Sequence, residues 1–142
     1  MKLSIRSAPY FYARVKGDPD GAYAWLEELS SEEVDLLAFS AVPYGPNHVE
    51  LTIFPHDPGA LQASSLAHGA DLAGPYHALL VQGDDHLGAL AQVHHDLRDA
   101  GVRVYASNGV TDGQGRFGYI VYVRERDFAA AAAIVNAEEG GA

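Results

Sequence analysis

The chain has no cysteine. That absence removes disulfide staples, thiolate metal ligands and cysteine nucleophiles together. Basic residues are scarce as well: 9 Lys and Arg stand against 19 Asp and Glu, for a formal net charge of −10. Nucleic-acid binding needs a basic patch that displaces counterions from phosphates. Here the basic residues are scattered, and only Arg124 and Arg126 come close together. The balance argues against a nucleic-acid partner.

Long apolar runs are missing too. No stretch approaches the roughly 18–20 residues of a membrane span, so no membrane partner is expected. The opening Met1-Lys2-Leu3-Ser4-Ile5-Arg6-Ser7 lacks the unbroken apolar centre of a signal peptide, and the cytoplasm is the expected compartment. What remains is ordinary globular material. The 142 residues are 48% hydrophobic and 20% charged, enough for one domain or for two small modules.

Two modules are the better reading, because the chain repeats itself. Pro9-Tyr10-Phe11-Tyr12-Ala13-Arg14-Val15-Lys16-Gly17-Asp18 sets over Pro75-Tyr76-His77-Ala78-Leu79-Leu80-Val81-Gln82-Gly83-Asp84 at an offset of 66 (83 − 17). Further on, Leu51-Thr52-Ile53-Phe54 faces Ile120-Val121-Tyr122-Val123, and the offset has drifted to 69 (123 − 54). The expected modules are residues 1–74 and 75–137, with 138–142 a frayed tail.

Each copy has the same local grammar. Residues 10–16 and 76–82 are rich in aromatic and aliphatic side chains and read as strands. Asp18 and Asp85 are placed to cap the helices that follow. Ala22, Trp25, Leu26 and Leu29 recur at helical spacing, as do Leu87, Leu90, Val93 and Leu97, and Gly101 stops the second helix. Strands at about 34–42 and 48–54, and again at about 102–110 and 117–123, pair across turns rich in Gly, Pro, Asn and Asp. The last helix of each copy is expected to start at Asp57-Pro58 and at Asp127. Residues 2–6 alternate but have no place in the first copy. They are expected to complete the second sheet, in the same chain or in a partner.

The loop Gly83-Asp84-Asp85-His86-Leu87-Gly88 joins a strand to a helix. Free N–H groups at a helix start suit a carboxylate, and an Asp beside them suits an ammonium. An α-amino acid carries both groups. The bland alternative is an Asp-capped turn that uses glycine only for geometry. Other constellations weigh less. His94 and His95 are adjacent on a helix and point about 100° apart, so they do not share a metal ion. Ser107 has no nucleophile elbow around it. Asn108-Gly109 reads as a bulge or local turn, and Tyr105, Tyr119 and Tyr122 as core or sheet-face residues.

The order strand, Gly/Asp loop, helix, hairpin, helix over Pro75–Val123 and beyond resembles the ACT domain, a small βαββαβ module that senses amino acids. With Lys2-Leu3-Ser4-Ile5 and the helix around Trp25-Leu26, the chain looks like stand-alone tandem ACT proteins of bacteria. The resemblance implies an α+β fold of two ferredoxin-like ACT-type modules in tandem, antiparallel sheets with helices on one face. It places the ligand at the strand–helix loop: Asp84, Asp85, His86, Leu87, Gly88 and Ala89. Partners would come from the second strand, Ser107, Asn108, Gly109 and Val110. The family's frequent Asp-x-Pro-Gly loop is Asp85-His86-Leu87-Gly88 here, so its proline is missing.

The function expected on these grounds is non-catalytic: regulation by a small-molecule ligand, an amino acid, bound between modules of a homodimer, with no cofactor and no metal. A second reading from another class is a ligand-free dimerisation module that scaffolds or regulates an enzyme. A small enzyme on the same fold is the third.

Overall fold

The computed structural model describes residues 3–17, 20–64, 71–84 and 87–139. Among the described residues six strands and four helices follow one another. They are β1 (Leu3–Lys16), α1 (Asp20–Ser31), β2 (Leu36–Pro43), β3 (His48–Pro55), α2 (Pro58–Ala63), β4 (Leu72–Asp84), α3 (Leu87–Asp99), β5 (Val104–Thr111), β6 (Arg116–Val123) and α4 (Glu125–Ile134). The α+β class and ferredoxin-like order expected from sequence are what the chain adopts.

Contacts gather the chain into two compact units, Pro9–Tyr76 and Met1–Ala8 with His77–Gly140. In the first unit β3 lies between β2 and β1, all antiparallel. Its core joins Phe11 and Ala13 of β1, Ala22, Trp25 and Leu29 of α1, Val49, Leu51 and Ile53 of β3, and Leu61 of α2. Helix α1 forms because those three residues repeat at helical spacing, so a single stripe leaves water. Asp57 caps α2, its carboxylate accepting from the Gly59 N–H at 2.9 Å.

In the second unit β6 lies between β4 and β5, again antiparallel. Leu79, Val81, Val93, Leu97, Val102, Val121, Val123 and Ala131 form its core. Leu3 and Ile5 of β1 pack against this second core. The Ser7 N–H donates to the Glu138 carbonyl at 2.8 Å, and the Glu138 N–H donates to the Ile5 carbonyl at 2.9 Å.

The strand registers of the two units are superimposable. Phe11 faces Ile53 and Leu79 faces Val121, a shift of 68 residues (79 − 11, 121 − 53). The same shift relates Lys16–His48 to Asp84–Arg116 and Ala38–Phe54 to Ala106–Tyr122. The sequence offset of 66 at Pro9 and Pro75 is therefore two residues out of register, and the offset of 69 that set Phe54 over Val123 is one residue out, since Phe54 corresponds to Tyr122. A slip of two keeps every side chain on its original face, so hydrophobic alternation cannot detect it.

Two local expectations need correcting. Helix α4 starts at Glu125 rather than Asp127, with Arg124 at the cap position and no side-chain cap bond. Asn108-Gly109 is no bulge. Both residues sit in regular register with Ile120 and Tyr119, and the irregularity falls between Val104 and Ala106, leaving Tyr105 as the extra residue.

Candidate functional site

Strand β5 is the outermost strand of its unit and the least covered. Every residue from Tyr105 to Thr111 is exposed, with Val110 at 75%. Ser107, Asn108, Gly109 and Val110 are therefore accessible as a group. Asp84 ends β4 opposite Arg116, and both line a depression of about 910 Å³ with Leu3, Ile5 and Glu138. Gly88 lies elsewhere, in a groove of about 810 Å³ between α3 and the start of β5, with His94, His95, Arg98 and Arg103. Ala89 is buried at 8%. Asp85, His86 and the Leu87 side chain lie outside the described residues.

The structure thus sets Asp84 and Gly88 on different depressions. It links Gly88's groove to Ser107 by another route. His94 lines the groove, and its Nε2 lies 2.8 Å from the Tyr119 hydroxyl. Tyr119 donates in turn to Ser107 Oγ at 2.8 Å. Ser107 keeps its own hydroxyl proton for another acceptor. His95 faces elsewhere, its Nε2 3.1 Å from Asp99 and its Nδ1 3.3 Å from Arg98. Adjacent helical histidines with separate partners are what the 100° turn between them requires.

Nothing local in the sequence joins His94 to Tyr119: they are 25 positions apart, one on helix α3 and the other on strand β6. The internal repeat does carry a signal. At the shift of 68, His94, Tyr119 and Ser107 replace Leu26, Leu51 and Phe39. Leu51 is fully buried, and Phe39 packs on the first core. Three apolar positions of one copy have become a connected polar chain in the other.

No group of three or more His, Asp or Glu side chains among the described residues is placed to hold a metal ion. No helix among them is long and apolar enough to cross a membrane.

No family model and no curated protein sequence matches the chain. Solved structures do. A protein from Bacteroides thetaiotaomicron matches with a TM-score of 0.72 at 15% identity, over 93% of this chain and 88% of that one. The ligand-free regulatory subunit of aspartate kinase from Thermus thermophilus matches with a TM-score of 0.60 at 14% identity, over 96% of each chain. The corresponding regulatory subunit from Thermus flavus gives 0.54 at 15% identity, over 95% and 94%. The chain therefore has the fold of the ACT-type regulatory domains of aspartate kinase.

Proposed function

We propose that this chain is a non-catalytic regulatory protein of the cytoplasm that binds a small amino acid and passes its occupancy to a partner. The proposed contacts are the strand–helix loop Asp84, Asp85, His86, Leu87, Gly88 and Ala89, with Ser107, Asn108, Gly109 and Val110 of β5; Asp84, on its separate depression, and Ala89, buried, are the outlying members of the set. The observation that carries this reading is the polar chain His94–Tyr119–Ser107, which orients a hydroxyl on an otherwise open strand. A hydroxyl that already accepts from Tyr119 is set to donate, which suits a carboxylate. The fold shared with aspartate kinase regulatory subunits supports a regulatory role.

Signalling requires that the ligand bind two states of the protein unequally. Self-association of the chain supplies two such states. The reading is tested by thermal shift against the twenty amino acids, on the native chain and on Asp85→Ala and Gly88→Val. An amino acid at about 100 times its dissociation constant adds roughly 2.7 kcal/mol, a rise of several degrees. One selective shift, lost in both variants, is the expected result. No shift with any of the twenty sinks it.

A second reading, a ligand-free interaction module, is favoured by the bare edge of β5. It predicts no thermal shift and retention of a partner enzyme.

A further inference from the structure

The groove of about 810 Å³ between α3 and the start of β5 has His94, His95, Arg98 and Arg103 as its titratable lining, and no carboxylate among the described residues that line it. The chain as a whole carries a net charge of −10, so composition alone does not supply such a lining. The carboxylates of α3 beside it are engaged: Asp96 accepts from Gln92 at 2.7 Å, and Asp99 lies 3.1 Å from His95 Nε2. Neither arginine forms an ion pair among the described residues. Arg98 Nη2 stands 3.3 Å from His95 Nδ1. A guanidinium has no acceptor, so it donates to that ring nitrogen, and the contact leaves its charge uncompensated.

The internal repeat shows that the fold does not impose this. The shift of 68 carries through the helix and the turn after it: the Val34 N–H donates to the Leu29 carbonyl at 2.9 Å, as the Val102 N–H does to the Leu97 carbonyl. At the positions of His94, His95, Arg98 and Arg103 the first unit has Leu26, Glu27, Ser30 and Asp35. The same local backbone carries no basic side chain there.

The groove also meets the polar chain that ends at Ser107, because His94 belongs to both. Arg98 follows His94 by four residues on α3. That spacing puts it one turn along the same face, with about 6 Å between the Cβ atoms. A ligand held by Ser107 therefore lies close to the groove, with an uncompensated cation one helical turn beyond His94.

We propose that this groove receives the side chain of the ligand, and that the ligand is an amino acid whose side chain ends in an anion: aspartate, glutamate or phosphoserine. Arg98 and Arg103 determine the specificity, since guanidinium groups donate charge-assisted bonds in pairs to carboxylate and phosphate. Basic amino acids are repelled, and neutral ones leave both arginines unmatched. This names the ligand class of the amino-acid site described above and rests on that reading.

Isothermal titration calorimetry on the full chain tests it, with glutamate against glutamine, aspartate against asparagine, and phosphoserine against serine. The first two pairs differ in little but charge. At least one acidic member binds about tenfold or more tightly than its neutral counterpart, and the difference shrinks as NaCl rises from about 0.05 to about 0.5 M. Arg98→Gln with Arg103→Gln removes the preference, whereas Asp35→Asn in the first unit leaves it intact. Far-UV circular dichroism confirms folding; if the double variant does not fold, Arg103→Gln alone takes its place and narrows the preference. Binding of a neutral or basic amino acid in preference to every acidic one overturns this inference and leaves the amino-acid reading standing. An acidic preference that survives the loss of the arginines overturns it too, since the anion is then held elsewhere. Binding of no amino acid overturns both.

Discussion

The ring of Tyr119 lies across Gly109: a Cβ built on this glycine would stand 2.5 Å from the ring's Cδ1 and 3.1 Å from the Gly118 carbonyl. Gly109 is therefore required by a close approach, not by an unusual backbone angle. The packed ring holds the phenol between His94 and Ser107. Gly109→Ala is expected to push the ring away and cost about 1–3 kcal/mol, the range for overpacking. Gly118 is the internal control, because nothing lies within 4 Å of its built Cβ. Gly118→Ala should be neutral or stabilise by up to about 1 kcal/mol. Urea midpoints of the two variants decide the matter, and equal losses would show that the Tyr119 contact is irrelevant.

The polar chain makes a second prediction. Tyr119→Phe keeps the ring and removes only the hydroxyl, so the cost should be about 0.5–1.5 kcal/mol. His94→Leu copies the apolar residue found at the matching position of the first unit. Once Tyr119 is Phe, His94 has lost its partner and its own replacement should cost less. A double-mutant cycle should therefore give a coupling of about 0.5 kcal/mol or more between the two sites. Strict additivity would mean that the 2.8 Å contact contributes nothing.

How much of this was legible beforehand follows from periodicity. The Trp25 and Leu29 stripe was readable because a buried helical face repeats within a few residues. The repeat itself was readable from Pro-Tyr and Gly-Asp pairs, yet its register was not, since a two-residue slip leaves strand alternation intact. The start of α4 is not legible because Arg124, at the cap position, makes no side-chain cap bond and leaves no capping signal ahead of Glu125. The His94–Tyr119–Ser107 chain was hidden for a deeper reason: no local pattern joins a helix to two strands, and only the exact register of β5 on β6 brings them together.

Backbone strain gives a third prediction. After α1 the chain turns through Glu33 at φ 59°, in the left-handed region, whereas the second copy places Gly101 at φ 80° in the same position. Both turns serve the same bond, from Val34 to Leu29 and from Val102 to Leu97. A residue with a Cβ is disfavoured there by roughly 1 kcal/mol. Glu33→Gly should accordingly stabilise the protein by about 0.5–1 kcal/mol, and Gly101→Ala should destabilise it by about the same amount or slightly more. Melting temperatures should move about 2–4 °C in opposite directions. Movement in the same direction would remove strain as the explanation.

The fourth concerns Glu125, whose carboxylate grips one residue twice. Oε2 accepts from the His77 backbone N–H at 3.1 Å, and Oε1 lies 2.8 Å from His77 Nδ1. The His77 ring also packs on Phe128, with centroids 5.4 Å apart, so the first turn of α4 is fastened to β4 by polar and aromatic contacts together. Both side chains are substantially exposed, at 36% and 49%, and solvent screens the ionic part. The backbone bond is what Glu125→Ala should remove, at about 1 kcal/mol. His77→Phe keeps the ring and the backbone N–H while deleting the ring nitrogen, so it should cost less than Glu125→Ala. Hydrogen exchange at the His77 amide separates the two, because it should accelerate in Glu125→Ala and stay protected in His77→Phe. Unchanged exchange in Glu125→Ala would show that another acceptor holds this amide.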